Sequence, residues 1–333
     1  MVFSQQTPTV SVIIPTFNRE HIVTEAIDCV RNQSLDKLEI FVVDDGSTDE
    51  TYKRIQDISE PRLNYRYKEN GGHASAVNLA LPHTKGEYIA FLDADDLWEN
   101  NYLEQMVGAL QENRSYGLAY SNFLLKRFSG GTDNLSLSER CPSGRITKEF
   151  LQRSLAIYPS GTVISRCNGA LLFWDEALKY STDFDFFLRA STQTSFLHVK
   201  RAKVIKREYK DSVSYGKKPG GPLEAGLIFE RFYQFFRNNY STKMIFRKKI
   251  RRRFTKAAKR AKDIGDKDLA AALFRKVSQY QYIPVTAMRA LPRLITSTEF
   301  NSRVNLTAPL APAVSANGKH RDMLSRADEM YGS

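Results

Sequence analysis

The stretch Gly86-Glu87-Tyr88-Ile89-Ala90-Phe91-Leu92-Asp93-Ala94-Asp95-Asp96-Leu97-Trp98 decides how this chain is to be read. Its first half, Tyr88 to Leu92, is a short apolar run, partly β-branched and aromatic and bounded by Gly86, which reads as a buried central strand. Three carboxylates follow within four positions. Residues two apart in a strand share a side, so Asp93 and Asp95 can converge on one cation at the strand end while Asp96 points elsewhere. Crowded carboxylates repel one another, and a hard divalent ion such as Mg²⁺ or Mn²⁺ relieves that repulsion while leaving coordination sites for phosphate oxygens. The structural alternative is that Asp95 or Asp96 caps a helix beginning near Leu97. A triplet directly after a buried strand favours the metal and phosphate reading.

Outward from this stretch, strands alternate with helices across short loops. Val10 to Ile14 is an apolar strand stopped by Pro15, and Thr16-Phe17-Asn18-Arg19 leads into a helix from about Glu20 to Asn32, whose buried face is Ile22, Val23, Ala26, Ile27 and Val30. Leu38 to Val43 is a second strand ending in Asp44-Asp45-Gly46, after which Ser47 or Thr48 caps a helix running to about Ile58. Leu63 to Tyr67 is a third strand, followed by Asn70-Gly71-Gly72 and a helix through Ala76 and Leu79. This order predicts an α/β fold, a mostly parallel sheet flanked by helices. Ligands of such sheets bind beyond the carboxyl ends of the strands, where Thr16 to Asn18, Asp44-Asp45, Gly71-Gly72 and Asp93 to Asp96 all fall. Each cluster by itself is ordinary turn chemistry. Four on one edge suggest a nucleotide, with carboxylates and amides for base and ribose and a metal for the phosphates. The Walker pattern and a G-x-G-x-x-G after the first strand are both missing, which disfavours an ATPase or a nicotinamide enzyme.

These residues resemble the family 2 glycosyltransferases of GT-A fold. The resemblance rests on Ser11 to Arg19, Val42 to Asp49, Asn70-Gly71-Gly72 through Asn78, and Gly86 to Asp96, in the right order and spacing over about the first hundred residues. It implies that the loop Pro15, Thr16 and Asn18, together with Asp44 and Asp45, holds the nucleoside base. It further implies that Asp93 holds ribose, that Asp95, across Ala94, binds the metal bridging the diphosphate, and that Asn78 belongs to the nucleotide-binding set. Val77 stands where such proteins often carry Arg.

Farther on, a helix from Asn101 to about Gln111 and a strand from Leu118 to Leu125 are expected, then a turn-rich excursion from Ser129 to Asn134. Ser160 to Arg166 and Ala170 to Leu178 resemble the acceptor side of the family, with Phe173 and Trp174 either a sugar-stacking wall or, for one of them, core. Displacing a nucleoside diphosphate with inversion needs a carboxylate to take the acceptor hydroxyl's proton. Asp183, in the first turn of a helix anchored by Phe184, Phe187 and Leu188, is the candidate; the alternative is a charge that merely satisfies the helix dipole. The family usually has Glu-Asp here, and Thr182 replaces the Glu. Phe196 to Ile205 reads as an edge strand. Relatives often place a His near Glu208 to Ser214 that reaches the metal; His198 is too far upstream, so either Asp211 substitutes or the metal uses only water and Asp95 besides the diphosphate.

The expected organisation is a glycosyltransferase domain over 1–216 (donor half about 1–115, acceptor half about 116–216), a linker at 217–222, a basic helical region over 223–299 and a mobile tail over 300–333. Helices are expected at Leu223 to Asn238, Lys243 to Ile264, Lys267 to Tyr280 and Pro284 to Leu294. The net charge of +12 is concentrated between Lys243 and Lys262, where every charged residue is basic. Ile245, Phe246, Ile250, Phe254 and Ala257 interrupt those charges at helical spacing, so this helix either lies on an anionic membrane or packs its apolar face internally. Cys29, Cys141 and Cys167 form neither a disulfide framework nor a zinc pattern, the N-terminus lacks signal-peptide blocks, and no apolar run approaches membrane-spanning length. A cytoplasmic protein is expected, either free or peripheral on the inner face of a membrane.

The function expected is inverting, metal-dependent transfer (Mn²⁺ or Mg²⁺) from a nucleotide-sugar, a UDP-sugar, to a glycan, glycolipid or lipid-linked acceptor. A sugar-1-phosphate nucleotidyltransferase would want a Gly-rich, basic loop after the first strand, which Pro15 to Arg19 is not. A nucleic-acid-binding protein would use the basic helix but leaves the carboxylate clusters unexplained, so no nucleic-acid partner is expected.

Overall fold

The computed structural model describes residues 7–126, 132–133, 141–153, 155, 157–168, 173–207, 218–235 and 240–280. They fall into two compact units, one within Met1–Glu176 and Thr182–Tyr215, the other within Ala177–Ser181 and Gly216–Ser333.

The first unit is built on one sheet. Its strands are β1 (Val10–Thr16), β2 (Leu38–Asp44), β3 (Leu63–Tyr67), β4 (Tyr88–Phe91), β5 (Leu97–Trp98), β6 (Tyr116–Lys126), β7 (Thr132–Asp133), β8 (Thr162–Ser165) and β9 (Ser195–Arg207). The helices of this unit are α1 (Val23–Arg31), α2 (Thr51–Gln56), α3 (His73–Ala80), α4 (Tyr102–Glu112), α5 (Thr147–Arg153) and α6 (Thr182–Gln193). Strand order is β3-β2-β1-β4-β8-β6-β9-β5, with β7 paired to β6. β1, β2, β3 and β4 are mutually parallel, as are β6 and β9, whereas β8 runs antiparallel to both β4 and β6. Every residue of β1 and β4 is buried, which is why those strands read as unbroken apolar runs rather than alternations.

Register fixes the site. Thr16 pairs with Asp44 and Asp44 with Tyr67, so the carboxyl ends of the first three strands lie level. Ile13 pairs with Phe91, and the Leu92 amide donates to the Ile13 carbonyl at 3.0 Å, which delivers Asp93 to the same edge. No helix begins at Leu97. The chain makes a turn closed by the Asp96 amide on the Asp93 carbonyl (2.9 Å), adds Leu97–Trp98 to β9 as an edge strand, and enters α4 only at Tyr102. The capping alternative for Asp95 and Asp96 is therefore set aside. β9 lies one position in from the sheet edge, because the two-residue β5 covers Val204 and Ile205.

In the second unit α7 (Gly220–Phe235), α8 (Tyr240–Asp263) and α9 (Lys267–Ser278) pack together. Gly220, Gly221 and Pro222, expected as linker, open α7, since a first helical turn needs no backbone donor from proline. Gly265, at φ +84°, ends α8; the Asp266 amide returns to the Ala261 carbonyl at 2.9 Å, and the Asp266 carboxylate caps α9 by accepting from the Leu269 amide at 2.9 Å. Phe246, Ile250, Phe254, Ala257 and Ala261 of α8 are fully buried, as are Ile228 of α7 and Leu273 of α9. Of the two readings of the basic helix, internal packing of the apolar face is the one found. The expected helix at Pro284 to Leu294 and the tail at 300–333 lie outside the described residues, as does most of the excursion at Ser129 to Asn134.

Candidate active site

At the carboxyl edge the first two loops are laced together. Asn18 takes a positive φ of 51°; its amide donates to Ser47 Oγ (2.9 Å), and its Oδ1 accepts from the Thr48 amide (2.8 Å). Asp44, buried, accepts from the Ser47 amide at 2.8 Å and from the Tyr65 hydroxyl at 3.0 Å. Asp45, also buried, accepts from Lys68 Nζ (2.8 Å) and from the amides of Gly71 (2.9 Å) and Gly72 (2.7 Å). Gly46, at φ +84°, is required here, because a Cβ would stand 2.8 Å from the Asn70 amide nitrogen. Thr16 differs from these neighbours: its Oγ1 is buried with no hydrogen-bond partner among the described residues. Such a group is costly unless something else satisfies it. Pro15 is buried in β1, and Phe17 and Tyr67 are exposed at the strand ends.

Beyond β4 one carboxylate oxygen from each of Asp93, Asp95 and Asp96 lies within 4.8 Å of the other two. Ser160, in the turn before β8, holds this cluster in place: its Oγ accepts from the Asp93 amide (3.0 Å) and donates to Asp96 Oδ2 (2.6 Å), while its carbonyl accepts from Trp98 Nε1 (2.6 Å). Asp96 is fully buried and also accepts from the Arg207 amide (3.2 Å), with Lys206 Nζ 3.5 Å away. Asp93 meets His73 Nε2 at 3.1 Å. Asp95 and Ala94 complete the turn, and the Asp95 carbonyl accepts from Arg207 Nε at 2.6 Å. Among the described residues the Asp95 carboxylate has no hydrogen bond except to its own backbone.

The electrostatics follow from this crowding. Burial, then the charge of Asp93, raises the Asp95 carboxyl above its ordinary range. Burial does the same to Asp96, carrying it up to about 7 against the opposing charge of Lys206. Burial alone would lower the Lys206 ammonium, but Asp96, Asp93 and Asp95 hold it well above its usual value. Asp93 is lowered overall: burial opposes this, and the hydrogen bond and charge of His73 outweigh it. Hard oxygens, one of the three carboxylates left without a side-chain partner, and mutual repulsion are the chemistry a divalent cation satisfies, so these residues fit Mn²⁺ or Mg²⁺.

Asp183 stands in the first turn of α6, its Oδ1 accepting from the Phe184 amide at 2.7 Å. Phe186, Phe187 and Leu188 are fully buried and fix the helix, whereas Phe184 is half-buried and stacks on Phe150 at 5.5 Å. Burial raises the Asp183 carboxyl, the Phe184 amide and His73 lower it, Asp93 raises it, and the net direction is upward. Asp183 thus shares one electrostatic neighbourhood with His73, Asp93 and Lys206. Asn78 reaches the other half of the unit: its Nδ2 donates to the Trp174 carbonyl (2.9 Å) and to Glu176 Oε1 (2.7 Å), and its Oδ1 accepts from the Trp174 amide (2.9 Å). Trp174 is core, stacked on Phe186 at 4.4 Å, and Phe173 is 49% exposed. The wall alternative is thereby left to Phe173. Asp211 lies outside the described residues.

His73, Ser160, Lys206 and Arg207 were not singled out in the sequence. Lys206 had a signal: Ala202 and Val204 face inward, and a lysine two residues on continues that face into the site. His198 sits apart, stacked on Tyr120 at 4.9 Å.

Residues 11–166 match the model of Glycosyl transferase family 2. The uncharacterized glycosyltransferase RP339 of Rickettsia prowazekii is 34% identical over 195 residues, 55% of this chain and 58% of that protein. The UDP-Glc:alpha-D-GlcNAc-diphosphoundecaprenol beta-1,3-glucosyltransferase WfgD of Escherichia coli is 36% identical over 115 residues, 34% of this chain and 45% of that protein. The chain therefore spans less than two thirds of the length of these relatives. Among solved structures, S. aureus TarS 1-349 in complex with UDP-GlcNAc superposes with a TM-score of 0.54 at 19% identity, covering 83% of this chain and 93% of that one. The sheet order, the carboxylate cluster beyond its fourth strand and these likenesses agree: residues 11–166 form a family 2 glycosyltransferase domain, and the first unit has the GT-A fold.

Proposed function

We propose that this protein transfers a sugar from a UDP-sugar to a hydroxyl of a glycan, glycolipid or lipid-linked acceptor, with inversion at the anomeric carbon. The observation that carries the reading is the convergence of Asp93, Asp95 and Asp96 within 4.8 Å at the end of β4, in the electrostatic neighbourhood of Asp183. Two similar proteins point to the same donor class: UDP-GlcNAc is bound by TarS, and UDP-Glc and a diphosphoundecaprenol acceptor stand in the name of WfgD.

In this reading Thr16, Asn18, Asp44 and Asp45 shape the edge that takes the nucleoside, the buried Thr16 hydroxyl gaining there the partner it otherwise lacks. Asp93 faces the ribose. Asp95, with Asp93 beside it, holds a divalent ion, which when bound supplies charge neutralisation for the diphosphate. Asp183 accepts the proton of the acceptor hydroxyl as its oxygen bonds to the anomeric carbon and the bond from that carbon to the diphosphate oxygen breaks. A carboxylate whose affinity for protons is raised by burial suits that task. Asn78 holds Trp174 and Glu176 in place and so positions the segment leading to Asp183; a direct contact to nucleotide is not needed to explain it.

The test is donor hydrolysis across a panel of nucleotide sugars, with Mn²⁺, with Mg²⁺ and with excess EDTA. One UDP-sugar is expected to be turned over with metal and spared in EDTA; full activity in EDTA removes the metal from the mechanism. Asp183→Asn is expected to leave nucleotide affinity within a few-fold and to lower transfer about 10²- to 10⁴-fold. An equal loss of nucleotide binding places Asp183 in the donor site instead.

A further inference from the structure

Eleven basic residues and no acidic ones lie between positions 243 and 262, and α8 sorts them by face. The side formed by Phe246, Ile250, Phe254 and Ala257 is fully buried. Opposite it, Lys248, Arg251, Arg252, Thr255, Lys256 and Lys259 line an open groove of about 470 Å³. Their spacing of three and four puts them in one row, about 16 Å long at 1.5 Å per residue. All five cations are exposed, and none has an acidic partner among the described residues. Mutual repulsion shows in their neighbours too: burial first, then Arg253, Arg252 and Lys248, lowers the Lys249 ammonium.

We infer that this row is a docking strip for an anionic bilayer surface, held by charge alone. The buried apolar face leaves α8 nothing to insert, so the attachment is to clustered headgroup phosphates at the surface and not an amphipathic helix sunk among acyl chains. A row with no aromatic side chain in its lining has no platform on which bases could stack, which favours a lipid surface over single-stranded nucleic acid. The choice of a bilayer as occupant rests on the proposed lipid-linked acceptor, which is confined to such a surface.

Co-sedimentation of the full chain with vesicles tests it, using phosphatidylcholine alone and phosphatidylcholine mixed with phosphatidylglycerol, at low and high salt. Binding is expected only with the anionic lipid and is expected to fall steeply with salt. Each charge removed should weaken binding about fivefold, so an Arg251→Gln, Arg252→Gln, Lys256→Gln triple variant should lose about two orders of magnitude. Circular dichroism checks that the triple variant keeps its helices. Absence of vesicle binding overturns the inference, and so does binding that ignores phosphatidylglycerol or the triple substitution. Tighter binding to duplex DNA at the same salt assigns the strip to nucleic acid, and displacement by millimolar inorganic phosphate reduces it to a simple anion site. UDP-sugar hydrolysis by the same preparation without vesicles is read separately. Its failure strikes the enzymatic reading and leaves the vesicle result standing.

Discussion

At the end of β4 three carboxylates crowd together, and side chains drawn from α3, the turn before β8 and the far end of β9 reach in to balance them; along α8 five cations stand in a row with no acid among the described residues to meet them. The acidic cluster is partly buried, hydrogen-bonded and assembled from residues as far apart in the chain as His73 and Arg207. The basic row is exposed and comes from a single helix. Charge balanced in a fixed geometry can recognise a ligand of fixed shape, because each carboxylate is held to a definite place before the ligand arrives. Charge left unbalanced on a surface can only favour an anionic partner, whatever its shape, and weakens with salt. The same contrast says how each region should respond when one charge is removed.

The effect expected at Asp95 is of the same order as that at Asp183. The Asp95 carboxylate has no side-chain partner, and burial and Asp93 make its charged form costly. On the proposed role of Asp95 as a metal ligand, Asp95→Asn should cut turnover about 10²- to 10³-fold without destabilising the fold in EDTA. Turnover assays and urea unfolding with and without Mn²⁺ check both halves. A variant that unfolds in EDTA as readily as a core deletion would place Asp95 among the supports of the site.

Lys206 is the opposite case, a support with a smaller and purely structural signature. It stands 3.5 Å from a fully buried Asp96 and lies over the Tyr158 ring at 4.8 Å. Lys206→Met removes the cation and leaves the buried carboxylate short of compensation, at an expected cost of about 3 kcal/mol, the lower end for such a site because Ser160 and the Arg207 amide still serve Asp96. Adding Asp96→Asn should recover much of that loss in a double-mutant cycle. If the two losses simply add, Lys206 is not the counter-charge of Asp96.

What was legible beforehand follows the same division. Asp93, Asp95 and Asp96 could be read because they are contiguous and follow an apolar run, and the level ends of β1, β2 and β3 follow from strands joined by short loops. Their partners could not, since Ser160 and Arg207 are brought to Asp96 only by the antiparallel insertion of β8 and the pairing of β9, which no local pattern announces. Asp45 could be placed at the ligand edge from sequence, but sequence could not show that Lys68 and two glycine amides hold its oxygens there. On α8 the periodicity of Phe246, Ile250 and Phe254 announced an apolar face. Whether that face met lipid or protein depended on α7 and α9, whose own apolar faces the sequence does show but whose packing it does not.

The smallest effect is expected on α8, and its sign is the informative part. Arg252 has Lys248 and Lys256 four residues to either side and Lys249 three residues before it, all of like charge. Like pairs at that spacing each cost a few tenths of a kcal/mol. Arg252→Gln removes three of them at once, gives up no salt bridge and loses almost nothing in helix propensity. The variant should therefore be more stable than the parent, by about 0.5 kcal/mol at low salt, and the gain should fade at high salt, where the ions screen the same repulsion. Thermal unfolding of both proteins at two ionic strengths measures it. A loss of stability would mean that Arg252 has an acidic partner, and the row on α8 would then be one more balanced cluster, with no charge to spare for a surface.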